Sequence, residues 1–162
     1  MNNIVSFFKL IRLKNLIIVT LTQLLVKFSL INPFLDDFML SNNQFYLLVL
    51  ATIFITASGY IINDIYDVKT DKINKKERRI VSKSITSRDA FRWYVILNFL
   101  GLGLGIYIAY IIKKPYFSLI FIYCIFSLWT YSKRMKNSFL FGNLQVSLLT
   151  ALSIFNVALF DI

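Results

Sequence analysis

The sequence predicts an all-α fold, a polytopic transmembrane helical bundle of about five membrane helices forming one membrane domain over residues 1–162. Three observations predict it. Hydrophobic residues make up 57% of the chain and charged residues only 16%, a balance outside the usual range of soluble domains. The apolar residues gather into five runs close to the ~20 residues that a spanning helix needs. The basic residues concentrate in alternate connections between those runs, as they do in membrane proteins with a fixed orientation.

Taken in order, "MNNIVSFFKLIRLKN" reads as a short, basic, amphipathic lead-in helix. It does not read as a signal peptide, because its charges follow the first apolar residues and no small-residue cleavage site comes after the next apolar run. The first span runs from Leu16 to Ile31 and is interrupted by Lys27, which near a helix end reads as a residue that snorkels to the interface. Asn32-Pro33 and Asp36-Asp37 make an acidic turn. The second span is Phe45 to Ile62, followed by a long polar segment from Asp64 to Arg92. The third span, Trp93 to Ile112, carries Gly101, Gly103 and Gly105, read as sites of close helix approach because no strand precedes them to make a nucleotide loop. Lys113-Lys114-Pro115 turns the chain tightly, with proline ending the helix before it. The fourth span, Tyr116 to Thr130, contains the single cysteine, Cys124, read as a small buried apolar residue. Leu140 to Phe160 is the fifth. A soluble bundle would need polar stripes on its helices, and the third and fifth runs lack them.

Lys and Arg number 18 against 8 Asp and Glu, a net charge of +10. Fifteen of the eighteen fall in the lead-in, the second connection and the fourth connection, leaving Lys113 and Lys114 opposite and Lys27 within a span. This predicts a multi-pass protein of the cell (inner) membrane with its N-terminus and the residue 64–92 loop in the cytoplasm. It also excludes nucleic acid as a partner, since the bases lie between hydrophobic segments instead of lining one soluble face. There is no histidine. Any metal must then be held by oxygen, which favours Mg²⁺ or Ca²⁺ over Zn²⁺.

The chemistry-bearing stretch is "GYIINDIYDVKTDKINKKERRI", residues 59–80, which places Asn63, Asp64, Asp67 and Asp71 within nine positions at the end of a span. If helix continues to Asp71, Asp67, Asp71 and Asp64 lie near ~40°, ~80° and ~100° from Asn63, so all four share one face. Like charges so placed repel, and a bound divalent cation removes the conflict by using carboxylate and amide oxygens as hard ligands. The other reading is a polar helix end whose acids pair with Lys69, Lys72 and Lys75. Membrane-edge acids are functional candidates by default.

"GYIINDIYDVKTDKIN" resembles the first aspartate-rich motif, N-D-x-x-D-x-x-x-D followed by D-x-x-N, of the UbiA-type intramembrane prenyltransferases. "IRLKN" resembles the family's lead into its first helix, and "LWTYSKRMKNSFLFGN" its tyrosine- and lysine-bearing loop followed by Gly-Asn. The wording is most similar to the geranylgeranylglycerol-phosphate geranylgeranyltransferase-like branch. The resemblance implies an enzyme that moves a prenyl group from a polyprenyl diphosphate to a lipid or aromatic acceptor, for example geranylgeranylglycerol phosphate or a quinone precursor. It implies Mg²⁺ held by Asn63, Asp64, Asp67 and Asp71, with Asp67 and Asp71 as catalytic residues. It further implies substrate contacts from Lys136, Tyr131, Arg12, Asn15 and Arg134, of which Lys136, Tyr131, Arg12 and Arg134 have an ordinary membrane-interface reading as well.

The sequence departs from the family pattern at Lys76 and Arg79, where prolines are usual. Family members also continue into a second half with a second aspartate-rich motif, and nothing before Ile162 resembles it; Asp161 stands isolated, on the other side of the membrane. The expectation is therefore the N-terminal portion of a prenyltransferase bundle, working with a complementing C-terminal half among membrane lipids. The alternative expectation is a truncated, non-catalytic remnant that at most binds prenyl diphosphate.

Overall fold

The structure, a computed structural model, describes residues 3–35, 37–68 and 80–161. Among them are six α-helices: α1 (Asn3–Leu10), α2 (Leu13–Leu25), α3 (Asn42–Tyr66), α4 (Ser87–Ile111), α5 (Ser118–Lys133) and α6 (Phe139–Asp161). Five helical segments are long and apolar enough to cross a membrane: Leu13–Ile31, Asn42–Tyr66, Ser87–Ile111, Pro115–Lys133 and Leu140–Asp161. They correspond one for one to the five predicted spans, and all five are longer, because capping and interfacial polar residues extend each helix past its apolar run.

The short α1 carries exposed Ile4, Val5 and Phe8, the apolar face of an interfacial helix. Arg12, in the left-handed region at φ 52°, breaks α1 from α2. Leu10, Ile11 and Leu16 around this break are buried in one cluster with Ala57 and Ile61 of α3 and Val81 and Ala90 beside the start of α4. The span that begins with α2 widens into a π-helical turn over Val26–Ile31.

That turn corrects the reading of Lys27. The side chain does not snorkel; it is 1% exposed, and its ammonium meets the Asp161 carboxylate, itself 0% exposed. The ammonium also lies 4.0 Å from the centre of the Phe38 ring. The other Asp161 oxygen accepts the Leu40 N–H at 3.4 Å, and the Asp161 backbone carbonyl accepts the Met39 N–H at 3.1 Å. Asp161 is thus not isolated: the pair ties together the far ends of the first and last spans and the loop between α2 and α3. A π-helical turn rotates successive side chains differently from an α-helix, and here both Lys27 and Ile31 face inward.

Helix α3 is the hub. A capping box at its start (Ser41 with Gln44) satisfies its first amides, and it is buried along its length from Phe45 to Ile62. Its neighbour α4 approaches at Gly101, where a Cβ would stand 2.7 Å from the Ile55 side chain and 3.1 Å from the Ala51 carbonyl. At Gly105 a Cβ would stand 2.4 Å from the Phe121 ring of α5, whereas at Gly103 it would meet nothing within 4 Å. Two of the three glycines therefore serve close helix approach and the middle one does not. The outward faces of the spans are apolar, with Phe99 76%, Leu140 69% and Phe155 61% exposed, the surface that lipid or other membrane helices cover.

Candidate functional site

A cavity of about 350 Å³ opens between α2, α3, α5 and α6. Arg12, Tyr60, Asn63 and Tyr131 line one end, and Thr52 and Asn156 line the other. From residue 63 to residue 52 the α3 wall covers ~16 Å at ~1.5 Å per residue. Thr52, Thr56 and Asn63 line it from one helical stripe, while Phe121, Leu128 and Leu149 supply apolar wall.

The carboxylates sit at the Arg12–Tyr131 end, where α3 stops. The helix ends at Tyr66, with Asp67 as its C-cap and the Asp67 N–H bonded to the Asn63 carbonyl at 2.9 Å. A helix C-terminus carries partial negative charge, so acids there are unfavourable without nearby cations. No basic residue in the last turn of α3 provides them. Other elements do. The Arg12 guanidinium donates to Asp64 Oδ1 at 3.1 Å and lies 4.7 Å over the Tyr60 ring. Lys136 Nζ contacts Asp67 Oδ1, and Asn63 Nδ2 donates to Asp67 Oδ2 at 2.9 Å. Asp67 and Lys136 are partly exposed, at 23% and 20%.

Local backbone explains these reaches. The left-handed Arg12 turns its side chain back across the top of α3. Asn15, one turn into α2, donates to Tyr60 Oη at 3.3 Å and braces the ring beneath the guanidinium. Lys136 rides on a single 3₁₀ turn, Met135–Asn137, between α5 and α6. Tyr131, in the last turn of α5, lines the cavity, whereas Arg134 caps α5 with an exposed side chain and lines none of it.

The predicted helix through Asp71 is described only to its turn at Asp67 and Val68; Asp71, Lys69, Lys72, Lys75, Lys76 and Arg79 lie outside the described residues. Within them, Asn63 and Asp67 come together while Asp64 turns to Arg12. No group of three or more Asp, Glu, His or Cys gathers as a metal site among the described residues. The donors present, two carboxylates and an amide, are all hard oxygen groups, which fits Mg²⁺.

Sequence reading missed Tyr60 and the wall residues Thr52, Thr56 and Cys124. Tyr60 lies one helical turn before Asp64, and the two threonines repeat at i, i+4 in an otherwise apolar span; these spacings were the available signal. Cys124 lines the cavity and is only partly buried.

Residues 18–159 match the UbiA prenyltransferase family. A digeranylgeranylglyceryl phosphate synthase of Sulfolobus acidocaldarius is 40% identical over 110 residues, which are 67% of this chain and 38% of that protein. The protein of the same name from Methanocaldococcus jannaschii is 30% identical over 151 residues, 93% of this chain and 50% of that one. A solved structure from work on digeranylgeranylglyceryl phosphate synthase in membranes superposes with a TM-score of 0.82 at 26% identity, covering 99% of this chain and 54% of that one. The chain spans about half or less of the length of the relatives it matches. With the motif, the five spans and the match over nearly the whole chain in agreement, the chain belongs to the UbiA prenyltransferase family.

Proposed function

We propose that this chain forms the diphosphate-binding side of a Mg²⁺-dependent enzyme that transfers a prenyl group from a polyprenyl diphosphate to a glycerol-phosphate lipid, such as geranylgeranylglycerol phosphate, within the membrane. The observation that carries this reading is the meeting of Asn63, Asp64 and Asp67 with Arg12 and Lys136 at one end of a largely apolar cavity. The names of the relatives support the glycerol-phosphate acceptor over an aromatic quinone precursor.

In this reading Asn63, Asp64, Asp67 and Asp71 hold Mg²⁺, which when bound offsets the negative charge that grows on the departing diphosphate. Lys136 and Arg12 are cationic groups at the same mouth, placed to bind phosphate oxygens once released from their carboxylate partners. Tyr131 and the Tyr60–Asn15 pair fix the wall beside them. The apolar wall of Phe121, Leu128 and Leu149 takes the prenyl chain and keeps water from the allylic carbon. The allylic C–O bond breaks with its electron pair leaving on diphosphate, and the acceptor hydroxyl oxygen bonds to that carbon and passes its proton to the freed diphosphate. A complementing C-terminal half supplies the opposite side of the diphosphate, since preorganised groups must surround the developing charge. The N-terminus and the residue 64–92 loop face the cytoplasm.

The test is binding of geranylgeranyl diphosphate to the purified chain with Mg²⁺ or with chelator, with wild type and Asp67→Ala. The expected result is Mg²⁺-dependent affinity that Asp67→Ala weakens strongly. Equal affinity in chelator and in Mg²⁺ refutes the metal assignment. Residues 1–162 alone are expected to turn substrate over slowly or not at all, and a C-terminal half from a full-length relative is expected to restore transfer. Binding without transfer after that addition identifies a non-catalytic binder instead.

A further inference from the structure

Gly142 lies in the first turn of α6, directly behind the Met135–Asn137 turn that carries Lys136. A Cβ built on Gly142 falls 2.6 Å from the Met135 carbonyl oxygen, 3.3 Å from its carbon and 3.5 Å from the Lys136 Cα. All three are backbone atoms, so no change of rotamer relieves the contact. The same Met135 carbonyl accepts the Ser138 N–H at 2.9 Å, and the Ser138 carbonyl accepts the Gly142 N–H at 3.1 Å. The carbonyl that closes the lysine-bearing turn therefore rests against the bare Cα of Gly142.

We propose that Gly142 is a positioning residue for Lys136: the absence of a side chain there sets the height of the turn from which the ammonium reaches Asp67. Gly142 has no left-handed backbone to demand glycine, so it is the close approach that requires it. Any side chain must push the turn away by the better part of an ångström to reach ordinary van der Waals distance. A cation moved that far from a phosphate oxygen loses its charge-assisted hydrogen bond, a loss of about 10–100-fold in affinity. The functional part of this inference rests on the diphosphate reading above; the geometric part does not.

Two measurements on the purified chain test it. The first needs no ligand: acylation of individual lysines by an amine-reactive ester, read by mass spectrometry. Gly142→Ala is expected to speed acylation of Lys136 by roughly two- to fivefold, the scale of losing a partly exposed ion pair, with exposed Lys133 unchanged as the internal control. The second is Mg²⁺-dependent binding of geranylgeranyl diphosphate. Gly142→Ala and Lys136→Ala are each expected to weaken it about 10–100-fold, and the double variant no further than the worse single, because both act through one group. Unchanged Lys136 acylation in Gly142→Ala, or binding losses that multiply in the double variant, overturns the proposal. If wild type binds no diphosphate, the functional reading fails while acylation still decides this one. If Gly142→Ala does not survive purification, the same acylation comparison is made in the membranes that express it, with Lys133 as the internal control, and unchanged Lys136 acylation there overturns the proposal equally.

Discussion

Two glycines in one helix are expected to respond to the same substitution with opposite sign. At Gly105 an alanine Cβ would lie 2.4, 2.6 and 2.7 Å from three atoms of the Phe121 ring. The ring is blocked on one side, being 1% exposed and packed edge-on against the buried Phe160 with 5.6 Å between centroids, so it can yield only toward the cavity whose wall it forms. Overpacking of this kind costs typically about 1–3 kcal/mol. In a chain of this size that lowers the midpoint of thermal unfolding by about 2–12 °C. At Gly103, two residues away, a Cβ meets nothing within 4 Å, so Gly103→Ala keeps only the helix-propensity gain of about 1 kcal/mol. Its midpoint is expected to rise by about 2–4 °C. The assay is thermal unfolding of the detergent-solubilised protein followed by circular dichroism, with wild type, Gly103→Ala and Gly105→Ala side by side. The close-packing argument is refuted if Gly105→Ala melts with wild type, or if Gly103→Ala falls as far as Gly105→Ala.

Lys27→Met strands Asp161 as an uncompensated buried charge and is expected to cost about 3–5 kcal/mol, whereas Lys27→Met combined with Asp161→Leu should recover most of it; a double variant as unstable as the two singles summed contradicts the pairing. Asp67→Ala removes the anchor of Lys136 and one oxygen donor, so Mg²⁺-dependent binding of geranylgeranyl diphosphate should fall by at least about tenfold, measured by calorimetry against inorganic diphosphate as a headgroup-only control. In intact cells, with Cys124→Ser as background, a membrane-impermeant maleimide should label a cysteine at position 114 and spare one at position 83; the reverse pattern sinks the orientation.

The five spans were legible because the bilayer imposes a length on every apolar run, and that filter works on composition alone. The glycines show a finer limit. "GLGLG" drew one explanation for three residues, yet a helix turns ~100° per residue, so Gly101 and Gly105 share a face and Gly103 points away. That distinction was in the sequence and needed only the angle. Lys27 was different: its inward turn depends on a π-helical segment that no local pattern announced, and on a partner 134 positions away. The candidate site divides in the same way. The carboxylates stood out as a cluster, but their partners Arg12 and Lys136 lie 52 and 69 positions from them. They were named through family resemblance, since spacing carries no information over such separations. Arg134, named on the same grounds, faces outward.

The Lys27–Asp161 pair also has a history in time. Its two halves leave the ribosome 134 residues apart, roughly 7–27 s at ~5–20 residues per second. Throughout that interval the first span holds a lysine whose insertion costs about 2.5–3.5 kcal/mol if it sits near the helix centre. The span can wait shallow, with the ammonium near headgroups, and settle to its final depth only when α6 brings the carboxylate. Docking of α6 then buries the ammonium against its counter-ion, and any chain halted before residue 161 leaves that lysine without it.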